Sequence, residues 1–332
     1  MTKGAAWLRF TAAVGFVAAL VVLVPRVMPQ PKPPPGWQTI RPPLDVIALV
    51  EVGDLIWSGG RDGVLTIDRD SGKVQGQVQA DVKLAYVTSL VADGDGRGLW
   101  VGHANGLSRF DGDGWRTFTT ADGLPDNQVL AMARTRKGEI WVGTPAGVAR
   151  YASEGWTAFT RKDGLASDAA TVIFEDSRGR LWVGNGYDSR GGLTMLDGQG
   201  WHTYSTADGL AHNAVNAILE DREGNLWFGA GFGSRGGASR FDGAAWHTLT
   251  EADGLAGPKV RSLYQDSGQV MWFGSEYDGL ACTDGRTWRT FSPGKGLAGR
   301  EVKTMLEDSQ GNLWLGTENG ISRILQSQRT CR

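Results

Sequence analysis

The pattern of apolar and polar positions changes character along the chain. Residues 10–25 (FTAAVGFVAALVVLVP) form one apolar run without a charge, and residues 29–35 (PQPKPPP) are a proline-rich stretch. From residue 36 onward, apolar runs of about four to eight residues alternate with clusters of Gly, Asp, Asn and Ser, as expected for many short strands joined by turns.

This third region repeats. A Trp-x-Gly triplet recurs at Trp57, Trp100, Trp141, Trp182, Trp227, Trp272 and Trp314, with spacings of 43, 41, 41, 45, 45 and 42 residues. Seven copies at this period predict four-stranded blades arranged as a propeller. The fifth copy shows the unit: AVNAILED (214–221) as inner strand, LWFGA (226–230) as second, GASRFDG (237–243) as third and AWHTLT (245–250) as fourth. EADGL (251–255) then crosses to the next blade. The seventh copy has three strand patterns, KTMLED (303–308), LWLGT (313–317) and GISRIL (320–325). The missing fourth is matched near the start of the chain, where GWQTI (36–40) parallels GWRTF (114–118) and GWHTY (200–204). The fold predicted is all-β: a seven-bladed β-propeller over 36–326, closed by the N-terminal strand beside GISRIL, with a tail at 327–332.

The apolar run follows Lys3 and Arg9, and residues 4–8 (GAAWL) extend it toward bilayer-spanning length with Trp7 at the interface. It ends at Pro25, Arg26 and Val27 without a small-x-small cleavage site. Residues 1–28 are predicted to be an uncleaved signal anchor, a transmembrane helix, with a cleaved signal peptide as the alternative. Residues 29–35 are a stiff polyproline-type spacer. Either reading places the propeller outside the cytoplasm, in the periplasm or the extracellular space.

Composition adds three constraints. The 49 Gly and 14 Trp suit short strands and tight blade interfaces. A net charge of -2 supplies no basic field, so nucleic acid is not an expected partner. Cys282 and Cys331 belong to no CxxC or Cys/His cluster, which argues against a zinc site. They are either two separate thiols or a disulfide tying the tail to a blade, the latter requiring an oxidising compartment. His103, His202, His212 and His247 define no Ser-His-Asp set, and Glu175, Glu220 and Glu307 recur in repeat register. No catalytic residue, metal or cofactor is expected.

Residues that recur in every blade are scaffold; binding should appear where the copies differ. Asp176, Asp221 and Asp308, six residues before their Trp, read as turn caps, and the DGL at Asp122, Asp163, Asp208 and Asp253 reads as a crossover element. In the last crossover the Asp becomes Lys295. The copies diverge most between strands two and three, where Trp182 to Gly192 and Trp227 to Gly237 span ten residues against six in four other copies. Five residues past the Trp stand Tyr187, Phe232 and Tyr277, where the remaining copies have Asp62, Asn105, Ala146 and Asn319. Arg190, Arg235, Asp188 and Asp278 lie close by in sequence. Aromatic faces beside forked donors and carboxylates suit sugar rings or extended peptides, so these seven residues form the candidate ligand site. In the competing reading the aromatics fold down over the central channel and the arginines pair with crossover aspartates.

The stretches LPDNQVLAMARTRKGEIWVGTPAGVARY (124–151) and LAHNAVNAILEDREGNLWFGAG (210–231) resemble the repeats of the two-component regulator propeller family. EDSQGNLW (307–314) also resembles an Asp-box turn. The family resemblance implies an extracytoplasmic sensory propeller that perceives small molecules, oligosaccharides or peptides. Since the sequence shows no histidine-kinase or response-regulator pattern, a separate membrane signalling partner is expected. An envelope protein-interaction scaffold is the alternative, and a propeller lyase or glycosidase a more distant one.

Overall fold

The computed structural model describes residues 33–93, 98–187 and 191–331. The expected anchor or signal segment, residues 1–28, lies outside the described residues. No helix among those described is long and apolar enough to cross a membrane.

Seven four-stranded antiparallel sheets follow one another around a ring. Blade 4 comprises Val172–Glu175, Leu181–Gly184, Leu193–Asp197 and Gly200–Tyr204. Blade 5 comprises Val215–Glu220, Leu226–Phe232, Arg235–Phe241 and Trp246–Leu249. Blade 6 comprises Val260–Gln265, Met271–Ser275, Leu280–Thr283 and Trp288–Phe291. Blade 7 takes Val302–Glu307, Leu313–Thr317 and Gly320–Ile324 from one end of the chain and Trp37–Ile40 from the other. Trp37 pairs with Ile324 and Ile40 with Ile321, so the N-terminal strand covers the edge of GISRIL as predicted.

The Trp-x-Gly triplet explains how blades pack. A Cβ added to Gly59, Gly102, Gly184, Gly229 or Gly316 would fall 2.5–2.9 Å from the valine that opens the next inner strand: Val87, Val129, Val215, Val260 and Val46 respectively. At Gly143 and Gly274 the obstructing groups include the main-chain oxygens of Ala170 and Val302. Only glycine fits such an approach. The tryptophan fixes the other end of the strand. Its indole N–H donates to the Asp-box carboxylate at 2.6–2.9 Å in Trp100–Asp93, Trp182–Asp176, Trp227–Asp221, Trp272–Asp266 and Trp314–Asp308. Asp176, Asp221, Asp266 and Asp308 also accept backbone N–H groups of their own turn, as Asp308 does from Gln310 and Asn312. They are turn caps that also satisfy a buried donor.

The register glutamates clasp neighbouring blades. Glu175, Glu220 and Glu307 accept the main-chain N–H groups of Arg136, Ser177 and Ser267 in the preceding blade's turn.

The segment after blade 7 is fastened rather than loose. Cys282, in the third strand of blade 6, forms a disulfide with Cys331. Two residues before Cys331, the Arg329 side chain is buried to 7% exposure and pairs with Asp266 and Glu307 at 3.3 and 2.5 Å. It also donates to the Gly311 carbonyl. A buried charge of this kind is tolerated because it is paired and hydrogen-bonded. The disulfide resolves the choice the two cysteines left open, and it suits an oxidising compartment.

Deleting residues 34–42 uncovers the Gly320–Ile324 edge and exposes the groups packed under Ile40. Thermal and urea unfolding should show a loss of roughly 3 kcal/mol or more. Unchanged melting of the truncated protein would mean that the ring closes without this strand.

Candidate functional site: an aromatic and charged rim on blades 4 to 6

Each inner strand starts at the face that also carries the crossovers and the loops between strands two and three. In blades 1, 5, 6 and 7 the pairing of the first two strands shifts register at one residue: Ile47, Asn216, Arg261 and Lys303. Such a bulge leaves its residue unpaired and re-aims the side chain. The corresponding positions in blades 2, 3 and 4 are Thr88, Leu130 and Thr171. From blade 4 to blade 7 this position is therefore polar or charged throughout, as Thr171, Asn216, Arg261 and Lys303.

Arg261 is the hub of this face. Its Nε lies 3.5 Å from Glu301, and its charge reaches the hydroxyls of both Tyr187 and Tyr277 and the carboxylate of Glu276. Lys303 bridges Glu301 at 3.0 Å and Asp45 at 2.7 Å. Lys259 pairs with Glu276, and its ammonium lies 5.9 Å from the Phe232 ring. The Tyr277 hydroxyl donates to Glu276 at 2.7 Å.

The three aromatics named from sequence stand on this face about half exposed: Tyr187 at 53%, Phe232 at 48% and Tyr277 at 55%. Among the described residues, the other large exposed hydrophobics are Tyr86 and Leu325. Asp188 and Arg190 lie outside the described residues. Arg235 is exposed and sits opposite Phe232 across a two-residue turn, Gly233 and Ser234. The lengthened segment of blade 5 is thus a tight hairpin that extends both strands, with Gly233 at φ +61 supplying the turn. Asp278 faces its own loop, accepting from the Ser275 hydroxyl at 3.2 Å and lying against Gly257. The rim brings Tyr187 and Tyr277 under one charge and Phe232 under another. Its charged floor was missed by the sequence reading. The available signal was the residue after each strand-opening Val or Ala, which is Asn, Arg or Lys only in blades 5, 6 and 7.

Protonation follows from this packing. Partial burial pushes the Tyr187 hydroxyl up, and Arg261 offsets part of that. Burial opposes ionisation of Glu276, but its bonds from Lys259 and Tyr277 and the charges of Lys259 and Arg261 outweigh it, so its pKa lies below the ordinary 4.5. Burial lowers His212, and Arg235 and Lys259 lower it further, which keeps the imidazole neutral near pH 7. The other histidines serve the scaffold. His103 is buried against Ser108 at 2.8 Å and pushed down to about 4, while His202 and His247 sit beside Asp197 and Asp242. Among the described residues no group of three or more His, Cys, Asp or Glu is placed to hold a metal ion. Five surface cavities of about 470–630 Å³ have none of Tyr187, Phe232 or Tyr277 in their walls.

The model of the two component regulator propeller family matches residues 123–146, 164–187, 209–231 and 296–319. No curated protein matches the chain. Among solved structures it is similar to the extracellular domains of two B. thetaiotaomicron proteins assigned as hybrid two component systems. One is 17% identical, with a TM-score of 0.71 over 86% of this chain and 40% of that one. The other is 19% identical, with a TM-score of 0.69 over 87% of this chain and 39% of that one. The chain thus spans about two fifths of their length. Virginiamycin B lyase from Staphylococcus aureus is 15% identical, with a TM-score of 0.65 over 87% of this chain and 98% of that one. At these identities the likeness is one of fold.

The ionised form of Glu276 is favoured in the fold. Its stabilising contribution is complete above the ordinary value of 4.5 and is lost as pH falls through the lower folded value. Between about pH 5 and about pH 3, the native protein should therefore lose stability more steeply than Glu276→Gln. Parallel curves would show that the Lys259–Glu276 pair contributes nothing to folding.

Proposed function

We propose that this chain is a non-catalytic, extracytoplasmic binding propeller of the sensory kind, which presents blades 4 to 6 to an extended ligand such as an oligosaccharide or a peptide. The observation that carries this reading is the coincidence of Tyr187, Phe232 and Tyr277, half exposed on three successive blades, beside the cations Arg261 and Lys259. Half-exposed rings beside charged groups offer stacking area together with directional hydrogen bonds. The half exposure of all three rings favours a ligand laid across the blades over one enclosed between them. It also leaves room for the second reading, an envelope scaffold that docks a protein partner on the same face. The extracellular domains that share the fold, the disulfide and the apolar run at residues 10–25 support an extracytoplasmic location. A separate membrane protein would then carry the signal.

A thermal-shift screen of the protein against oligosaccharides and peptides identifies the ligand class. Tyr187→Ala, Phe232→Ala and Tyr277→Ala should each weaken binding of a hit by about 1–3 kcal/mol while leaving melting nearly unchanged. Trp182→Ala should instead cost about 3–5 kcal/mol of stability. If the rim variants unfold the protein as Trp182→Ala does, the aromatics are structural and the rim is not a binding face. Cell fractionation addresses location separately. The protein should appear with membranes and be open to protease only from outside the cytoplasm, and a soluble cytoplasmic pool would overturn that placement.

A further inference from the structure

The deepest departure from the repeat outside this rim lies at the seam between blades 6 and 7. The aspartates of the other DGL crossovers cap their own turns. Asp122, Asp163, Asp208 and Asp253 each accept the main-chain N–H three residues earlier, at 2.8 Å. In the crossover from blade 6 to blade 7 that place belongs to Lys295. The turn survives without the carboxylate: Gly296 keeps φ +110, and the Lys295 N–H bonds the Ser292 carbonyl. The exchange therefore removes a negative charge and adds a positive one where the local fold does not require it.

Lys295 forms part of the wall of a cavity of about 620 Å³. The aromatic part of that wall is Trp37, Trp272, Trp288 and Phe291, with Trp37 and Phe291 ring centroids 5.3 Å apart. Arg289 and Arg329 are its other cations, and no aspartate or glutamate lines it. Four further surface cavities each have an aspartate in the wall: Asp62, Asp93, Asp221 and Asp284. Arg329 is already neutralised by Asp266 and Glu307. Arg289 is exposed, holds its guanidinium 4.9 Å from the Phe291 ring and donates to the Thr330 carbonyl. Among the described residues, the exposed ammonium of Lys295 has neither an ion pair nor a side-chain hydrogen bond. The volume falls in the range of small-molecule sites.

We propose that this seam is a second ligand site, which takes a small anion with a planar apolar body: the body lies against Trp37, Trp288 and Phe291, and Lys295 and Arg289 hold the carboxylate, sulfate or sulfonate. Aromatic area beside the exposed Lys295 ammonium, on a wall that holds no aspartate or glutamate, selects for both features together. The site draws on both ends of the chain, since Trp37 belongs to the closing strand and Arg329 to the segment held by the disulfide.

The test is calorimetric titration of the full-length protein with naphthalenesulfonate and with uncharged naphthalenemethanol. The sulfonate should bind and the alcohol should bind at least roughly tenfold more weakly. Lys295→Asp restores the residue of the other crossovers, so it should fold normally while weakening sulfonate binding by at least roughly tenfold, and Arg289→Gln should weaken it in the same direction. Tyr187→Ala should leave this binding unchanged, which separates the seam from the rim. Absence of sulfonate binding, equal binding of the two probes, or an unaltered affinity in Lys295→Asp with native melting would each overturn the proposal.

Discussion

The ring depends on one close approach, made seven times. The glycine of each Trp-x-Gly lets the second strand of a blade come so near the next inner strand that a methyl group would strike the residue opening it. Because Gly316 meets Val46 in the same way as Gly229 meets Val260, the seventh interface is equivalent to the others and the circle closes without a special joint. A blade alone would leave this surface and its tryptophan in water, so stability belongs to the interfaces rather than to the sheets. The requirement also explains why the seventh blade is built from two distant pieces of chain: an open ring would leave one glycine face uncovered and one strand edge unpaired.

Once the interfaces are fixed by glycine, valine, tryptophan and the Asp-box carboxylate, other positions need not repeat. The bulged residue of the inner strand is one. It makes no ladder pair with the second strand, so its identity varies from Ile47 to Lys303 while the residue before the corresponding position stays Val or Ala. The fifth residue past the tryptophan is another, varying from Asp62 and Asn105 to Tyr187, Phe232 and Tyr277. The rim on blades 4 to 6 arises where both variable positions carry functional groups in the same blades.

The seven blades and the closing strand were legible because their signals are local and repeated: GWQTI could be matched to other fourth strands before any partner was known. The exposed aromatics were legible for the same reason, since a fixed count from an invariant tryptophan gives their register. What stayed hidden depends on pairings between distant residues. The indole bonds to Asp176 and Asp308 require knowing that a turn folds back under the strand it introduces. The Cys282–Cys331 bridge and the Arg329 clamp join blade 6 to a segment far along the chain, and no spacing in the sequence measures that distance. The hairpin form of blade 5 was missed because GFGSRGG reads as a flexible loop, although two residues suffice to turn it.

The rim and the closure are joined by charge. Arg261 shares Glu301 with Lys303, and Lys303 reaches across to Asp45 at the start of blade 1. Those links cross the boundaries on both sides of blade 7, the one blade made from two parts of the chain. The rim is therefore tied to the blade that closes the propeller through four side chains, Arg261, Glu301, Lys303 and Asp45.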